Sequence, residues 1–227
     1  MADADVLEID APHPGVRVLH LNRPTARNAL SIELRDQIAD AIDSATASAE
    51  VAAVIITGRG STFCAGFDLS EFRAAASDAA LTTRLWASSD RFHHTLLSCT
   101  IPLIAALNGP AIAGGFDLAT TCDLRIAQPG VWFQRPEVAF AVPLLGPLRE
   151  LVGGGVAREL CLTDRRLELD EAQRIGLVNE VTTDGGALTR AHAIAAEIAT
   201  RPVGLVRETK AKIVRMSELG VPNTLAR

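Results

Sequence analysis

The chain alternates between short apolar runs and stretches in which apolar residues recur at helical spacing. Residues 16–21 (V-R-V-L-H-L) alternate in the manner of a half-buried strand. Residues 51–57 and 101–107 are apolar almost throughout, which is the pattern of parallel strands covered on both faces. From Ser31 the apolar residues fall at helical spacing, and Ser31 itself is a suitable N-cap. This order of strands and helices predicts an α/β fold.

The remaining elements are predicted from the same signals. A helix should open near Leu69, a short helix should run from Gly114 to Thr121, and a strand should cover residues 123–127. After residue 128 the pattern turns helical, and helices are predicted over residues 152–162, 169–175, 187–199 and 203–216. No linker or internal repeat is visible. We therefore predict one domain over residues 1–227, with a core to about residue 185 and a helical region over about 186–227.

Composition and charge narrow the class of protein. The 227 residues are 48% hydrophobic and carry a net charge of −5, with no basic stripe for nucleic acid or for an anionic membrane. The most apolar stretch, residues 101–119, is interrupted by Asn108, Pro110 and Asp117, so it does not predict a membrane span. The first ten residues carry acids where a secretory signal would be basic. These features predict a soluble cytoplasmic protein.

Several common site motifs are absent or incomplete. The four cysteines have no C-x-x-C spacing, which argues against a zinc site or a disulfide framework and predicts core thiols. The glycines after residue 58 lack the third position of a dinucleotide fingerprint, and those at 109–114 lack the lysine of a phosphate-binding loop. No G-x-S-x-G elbow occurs. His93 and His94 lie in a helical stretch and are expected to be structural or surface residues.

Two strand-to-helix turns contain glycine and could carry chemistry. They are F-C-A-G-F-D-L at residues 63–69 and N-G-P-A-I-A-G-G-F-D-L at residues 108–118. The first N–H groups of a helix have no intrahelical partner, and glycine lets a ligand approach the backbone. Two such turns from neighbouring strands could point N–H groups at one oxygen as an oxyanion hole. From glycine spacing alone, two tight turns without a ligand remain the alternative.

The sequence of these and other segments resembles the crotonase superfamily, the enoyl-CoA hydratases and isomerases, over most of the chain. L-N-R-P-T-A-R-N-A-L at residues 21–30 is similar to the family's L-N-R-P-x-x-x-N-A-L, and residues 63–69 to its F-C-A-G-A-D-L. Residues 108–127 resemble N-G-x-A-x-G-G-G-x-E-L-x-x-x-C-D-x-x-x-A, and two later segments also match in order. The resemblance implies a crotonase-like ββα superhelix core with a helical C-terminal region.

The resemblance also implies which residues form the site. It places the thioester carbonyl between the N–H groups of Ala65 and Gly114, as an oxyanion hole for the enolate. It places contacts to an acyl-CoA substrate on Ala65, Gly66, Phe67, Asp68 and Gly114. Arg23 and Arg27 are candidates for the phosphates of coenzyme A, with a solvated arginine as the alternative. Coenzyme A enters as part of the substrate, and no separate cofactor or metal is expected.

Two carboxylates stand where family hydratases have paired glutamates, twenty positions apart. The resemblance gives Asp117 the role of activating water for Cβ and Glu137 that of donating a proton to Cα. Asp117 is shorter than glutamate by one methylene, and Leu145 stands where the family's dienoyl-CoA isomerases have a further acid. Leu144 and Pro147 replace glycines of a family segment, so the wall around the acyl group is expected to differ.

These features predict an enzyme of the hydratase/isomerase class that acts on a 2-enoyl-CoA through Asp117 and Glu137. Double-bond isomerisation is the second enzymatic possibility, since it needs a proton shuttle but no activated water. A non-catalytic acyl-CoA-binding protein is the alternative from another class. The family's assembly predicts a homo-oligomer, a trimer or a dimer of trimers. Because the family's terminal helices are expected beyond Met216, the shortened C-terminus puts that assembly in question.

Overall fold

A computed structural model describes residues 5–139 and 143–217. Its main sheet has six strands, which span β1 Leu7–Asp10, β2 Val16–Leu21, β3 Ala53–Gly58, β4 Leu103–Leu107, β6 Leu124–Ala127 and β9 Glu180–Val181. They lie side by side in this order, with β1 antiparallel to β2 and every other neighbouring pair parallel. In β3 and β4 all residues are buried, which agrees with their continuous apolar pattern.

Helices follow most of these strands. They span α1 Ile32–Ala47, α2 Leu69–Ala75, α3 Ala79–Ser98, α4 Gly114–Thr121, α5 Leu145–Thr163, α6 Leu169–Arg174, α7 Gly186–Ala199 and α8 Val203–Met216, with 3-10 turns at Pro24–Ala26 and Pro136–Ala139. The side chain of Ser31 accepts a hydrogen bond from the Leu34 N–H and caps α1, as predicted. The mixed α/β fold predicted from the sequence is therefore confirmed.

A second, three-stranded sheet lies beside the main one and carries the site. It consists of β5 Ala111–Ile112, β7 Trp132–Gln134 and β8 Leu167–Glu168, with β5 and β7 parallel and β8 antiparallel to β7. The apolar pattern does not predict this sheet, because strands of two or three residues are too short to show a period. Since α4 begins directly after β5, the register of this sheet fixes where α4 starts.

The two faces of the main sheet pack against different helices. On one face, α7 places Ala187, Ala191 and Ala195 against Val18 and Ile55. The small alanines allow the helix to approach the sheet closely. The other face forms the larger part of the core with α1, α3 and α4. Within the described residues, no helix is both long and apolar enough to cross a membrane.

The predicted helix boundaries differ from the structure mainly at α5. This helix begins at Leu145 rather than at residue 152, and it contains Gly153 in a non-helical conformation with φ 77° and ψ 161°. The apolar pattern therefore predicted only its second half. Helix α3 was visible in the sequence only as a helical stretch around the two histidines. Residues 218–227 of the predicted C-terminal region lie outside the described residues, and the division near residue 185 stays a prediction.

Candidate active site

The loop after β3 is held by backbone hydrogen bonds to the loop after β2. The N–H of Ala65 donates to the carbonyl of Arg27 at 3.0 Å, and the N–H of Leu30 donates to the carbonyl of Gly66 at 2.8 Å. The N–H of Ala65 is therefore already paired within the protein. The assignment of Ala65 to the oxyanion hole is wrong for this reason, since a donor engaged at this distance is not free for a ligand oxygen.

The N–H of Phe67, two residues further on, is not engaged in this way. Among the described residues, the N–H groups of Phe67 and Gly114 donate to no backbone or side-chain acceptor. The two loops touch, because a Cβ built on Gly66 would lie 3.1 Å from the Gly114 nitrogen and 2.7 Å from the Ala113 Cβ. Gly66 has a φ of 88°, a conformation that favours glycine. Two unpaired donors thus lie on adjoining turns.

The turn before α4 contains an unusual backbone conformation. Ala113, the N-cap of α4, has φ 51° and ψ −126°, which is uncommon for a residue with a Cβ. Its N–H donates to the Gln134 carbonyl at 2.9 Å, which ties the turn to β7. This turn directs the start of α4, with Gly114 as its first residue, toward the loop that carries Phe67. The Phe67 ring covers Gly114, where a Cβ would lie 2.8 Å from the ring.

The small sheet brings the two predicted carboxylates together. Ile112 in β5 is paired with Gln134 in β7. Asp117 follows in the first turn of α4, and Glu137 follows in the 3-10 turn after β7. Both residues are largely buried, at 7% and 8% exposed. The structure therefore brings Asp117 and Glu137 to the same end of the small sheet, and their catalytic roles stay predictions.

A buried arginine that the sequence analysis did not single out lies between these carboxylates. Nη1 of Arg135 is 2.6 Å from Oδ1 of Asp117 and 3.6 Å from Oε1 of Glu137. The Arg135 side chain is fully buried, and its Cζ lies 4.6 Å from the centre of the Phe116 ring. Arg135 directly precedes Pro136, and nothing in its local pattern distinguishes it from a solvated arginine.

The charged atoms of this cluster lack directed hydrogen bonds. Within the described residues, a hydrogen-bond partner is missing for all three side-chain nitrogens of Arg135, for both carboxylate oxygens of Glu137 and for Oδ1 of Asp117. The 2.6 Å approach is therefore an ion pair whose angles do not suit a hydrogen bond. Buried polar groups are normally paired, so this deficit is typical of a site that a ligand or water completes.

Burial changes the acidity of Glu137. Loss of solvent and the neighbouring charge of Asp117 raise the pKa of Glu137 to about 7, and the guanidinium of Arg135 opposes that shift. A carboxyl with a pKa near neutrality can both give and take a proton under ordinary conditions. This protonation behaviour suits the proton-transfer role that the sequence analysis gave to Glu137.

The residues expected at the coenzyme A end are placed differently from one another. Nη2 of Arg23 donates to Oδ2 of Asp68 at 2.8 Å, and Oδ1 of Asp68 accepts from the Ser70 N–H and hydroxyl to cap α2. Arg23 and Asp68 therefore brace the loop. Arg27 is exposed, with φ 52°, and its guanidinium has no partner among the described residues. Arg23 is thus engaged within the protein, whereas Arg27 is not, and a phosphate contact by either arginine stays a prediction.

The two histidines of α3 have different environments. His94 is exposed, whereas His93 is buried, with its ring centre 6.0 Å from that of Phe67 and Nδ1 2.8 Å from the Ser89 carbonyl. Burial lowers the pKa of His93, so the imidazole is neutral near pH 7. The described residues contain no cluster of three or more His, Cys, Asp or Glu that could hold a metal ion. All four cysteines are buried free thiols.

Comparison of the chain with known proteins identifies its family. A family model described as Enoyl-CoA hydratase/isomerase matches residues 12–226. The chain belongs to the enoyl-CoA hydratase/isomerase family. The resemblance to the crotonase superfamily, stated from the sequence motifs, is thereby confirmed.

Relatives with different printed activities are similar to the chain. It is 34% identical over 216 residues to the short-chain-enoyl-CoA hydratase of Clostridium acetobutylicum, covering 93% of this chain and 82% of that protein. It is 32% identical over 246 residues to a peroxisomal Delta(3,5)-Delta(2,4)-dienoyl-CoA isomerase of Arabidopsis thaliana, covering 99% and 87%. The crystal structure of an enoyl-CoA hydratase from Bacillus anthracis matches with a TM-score of 0.87 at 31% identity, covering 97% of this chain and 86% of that one.

Proposed function

We propose that the chain is an enzyme that binds an enoyl-CoA thioester and forms its enolate. The N–H groups of Phe67 and Gly114 donate hydrogen bonds to the thioester oxygen, and Glu137 exchanges a proton at Cα. The observation that carries this proposal is the pair of buried carboxylates held at one nitrogen of Arg135, beside a turn whose first helical N–H is unpaired. A donor in an oxyanion hole contributes about 2.7 to 4 kcal/mol to catalysis.

The sequence-based role of Asp117 is the activation of water for addition at Cβ. In that reaction Asp117 removes a proton from water, the hydroxyl adds to Cβ, and Glu137 protonates Cα as the enolate collapses. Family relatives named as hydratases and as isomerases both support enolate chemistry, since each reaction passes through a charge on the thioester oxygen. We propose that the site requires no separate cofactor, because coenzyme A enters as part of the substrate.

Exchange at Cα tests the proposal without assuming the fate of the enolate. Butyryl-CoA incubated with the protein in D₂O should exchange its Cα protons, followed by NMR, and Glu137→Gln should slow this exchange at least a hundredfold. Calorimetry on the same variant should show butyryl-CoA binding within about threefold of the parent. Binding without exchange in the parent would contradict the enzyme and favour the acyl-CoA-binding protein.

We also propose a homo-oligomer, a trimer or a dimer of trimers, in the cytoplasm. Apolar side chains exposed on α8 support self-association, with Leu205 62% and Met216 72% exposed. Light scattering after size-exclusion chromatography measures the mass directly. A mass of one chain, 24.0 kDa, at micromolar concentration would contradict the oligomer.

A further inference from the structure

Arg135 places a fixed positive charge inside the acid/base pair. We propose that Arg135 is a positioning residue that ties Asp117 into an ion pair, so that Glu137 alone exchanges protons with the substrate and the site favours moving a double bond over adding water. This inference rests on the proposed enolate chemistry and concerns the fate of the enolate. It identifies the preferred substrate class as a 3-enoyl-CoA.

The two carboxylates lie at different distances from the Arg135 guanidinium. Arg135 Nη1 is in contact with Asp117 Oδ1 at 2.6 Å but stands 3.6 Å from Glu137 Oε1. A base must accept a proton at hydrogen-bond distance, and an oxygen already in contact with a buried cation is a poorer acceptor. The ion pair therefore restrains Oδ1 of Asp117, although neither carboxylate has a directed hydrogen bond from Arg135. Glu137 stands further from the guanidinium, and both of its oxygens lack a hydrogen-bond partner within the described residues.

The guanidinium itself has little freedom to leave. Its side chain is fully buried, and Cζ lies 4.6 Å from the centre of the Phe116 ring in α4, the helix that also carries Asp117. The Phe116 ring in turn lies 5.0 Å from that of Phe133 in β7. Arg135 thus joins α4 to the strand end that precedes Glu137, and it fixes the separation of the two carboxylates.

The charges around Glu137 are consistent with a single proton carrier. Asp117 faces it from α4, Arg135 from the end of β7, and Asp164 from the end of α5, and the thiol of Cys161 lies in the same electrostatic neighbourhood. Arg135 is the only cation in this set, and it is closer to Asp117. Burial raises the pKa of Glu137, which leaves its carboxyl free to bind and release a proton near neutral pH.

Double-bond migration needs only one such group. Glu137 removes a proton from C2 of a 3-enoyl-CoA, and the electron pair spreads over the dienolate to the thioester oxygen at the N–H groups of Phe67 and Gly114. Glu137 then returns the proton to C4 as the double bond moves from C3–C4 to C2–C3. One C–H bond breaks and one forms, with no other reactant. Hydration instead requires Asp117 to deprotonate a water.

The product ratio of the unmodified protein tests this directly. Equal concentrations of 3-hexenoyl-CoA and 2-hexenoyl-CoA are offered separately in ¹⁸O-labelled water, and the 2-enoyl product and the labelled 3-hydroxyacyl product are quantified. We expect isomerisation to exceed hydration at least tenfold in kcat/KM. Hydration as fast as isomerisation, or faster, would overturn the inference without the need for any variant.

Three variants separate the charge of Arg135 from its shape. Arg135→Gln should slow isomerisation at least tenfold and raise the ratio of hydration to isomerisation. Arg135→Lys keeps the charge, so its product ratio should stay within about threefold of the parent and its pH profile should not change. Arg190 is an exposed arginine on α7 that is paired with Glu180 of β9, and Arg190→Gln is the matched control that should change neither rate. Equal losses in the Gln and Lys variants, with unchanged ratios, would indicate a packing role and overturn the inference.

Failure of the proposed function would look different. If butyryl-CoA shows no Cα exchange in the parent, the enolate chemistry itself is absent and both proposals fall. If exchange occurs but hydration dominates, only the role of Arg135 is overturned. Circular dichroism and melting temperatures of the Arg135 variants establish that each is folded before rates are compared, and the product ratio of the parent decides the matter if they are not.

Discussion

The N–H of Ala65 donates to the carbonyl of Arg27 at 3.0 Å, whereas the N–H of Phe67, two residues further on, donates to no acceptor among the described residues. The parallel bridge between Leu30 and Phe67 is made by the Gly66 carbonyl and the Asp68 N–H, which both hydrogen-bond to Leu30, so the N–H of Phe67 takes no part in it. The donor beside Gly114 therefore comes with a phenyl ring attached to the same residue. That ring lies directly over Gly114.

The contact between this ring and Gly114 predicts a compensating pair of substitutions. In Gly114→Ala, the new methyl would meet Cδ1 of Phe67 at 2.8 Å, so we expect a loss of about 1 to 3 kcal/mol in the free energy of unfolding and at least tenfold in Cα exchange. With Phe67→Ala as background, the same methyl has room and should cost much less. Chemical denaturation of the parent, both single variants and the double variant measures the coupling.

A control glycine distinguishes this contact from a general effect of adding a methyl. A Cβ added at Gly155 in α5 would meet no atom within 4 Å, so Gly155→Ala should be neutral or slightly stabilising. Additive losses in the double variant of Phe67 and Gly114 would show that the ring does not determine the cost at Gly114.

A second prediction concerns the two arginines of the loop after β2. Arg27→Ala should weaken acyl-CoA binding roughly threefold to tenfold, and the loss should shrink at high salt, because an exposed guanidinium acts on the coenzyme A phosphates through screened charge. Binding of an acyl-pantetheine, which lacks the nucleotide, should not change. Calorimetry at two salt concentrations with both ligands measures this.

Arg23 serves as the matched comparison, because it is paired with Asp68 at 2.8 Å. Arg23→Ala should lower the free energy of unfolding by about 1 kcal/mol or less, with an equal relative effect on both ligands. A selective loss of acyl-CoA binding in Arg23→Ala, with none in Arg27→Ala, would reverse the two assignments.

The sequence predicted the order of the main elements because their signals are local. The Ser31 cap, the buried strands β3 and β4 and the turn at Gly114 each depend on a few neighbouring residues. Arg135 could not be predicted in this way, since its burial arises from the pairing of β5 with β7, which brings together segments about twenty residues apart. The choice between Ala65 and Phe67 likewise depends on the bridge to Leu30, which leaves no mark in the glycine spacing.

A third prediction concerns the conformation of Ala113. With φ 51° and ψ −126°, this residue adopts a backbone conformation that suits glycine, so Ala113→Gly should raise the free energy of unfolding by about 1 kcal/mol. Ala119, fully buried inside α4, is the control, and Ala119→Gly should instead lower it by about 1 kcal/mol or more. Parallel denaturation curves decide, and a loss in both variants would show that Ala113 is not strained.

The fourth prediction is that ionisation of the buried Glu137 carboxyl lowers the free energy of unfolding, although removal of a proton from Cα requires that ionised form. Burial raises the pKa of Glu137 from 4.5 to about 7 in the folded protein, so the folded state binds more protons than the unfolded state between these values. Stability contributed by the protonated carboxyl is therefore present below about pH 4.5 and lost as pH rises through about 7. Glu137→Gln cannot ionise, and relative to the parent it should gain about 1 to 3 kcal/mol between pH 5 and pH 8.

The same titration sets the pH dependence of catalysis. Proton removal from Cα requires the ionised carboxyl and should accelerate as pH rises through about 7, whereas proton donation to Cα should slow over the same range. Urea denaturation of the parent and of Glu137→Gln at pH 5 and pH 8 measures the difference in stability. The pH profile of Cα exchange in the parent measures the same titration through the rate. Asp164→Asn is the control, because it removes the carboxyl that interacts most weakly with Glu137. It should change little in the pH at which stability is lost or in the pH midpoint of Cα exchange. An unchanged stability difference between pH 5 and pH 8 would mean that Glu137 keeps an ordinary pKa, and proton exchange at neutral pH would then need another residue.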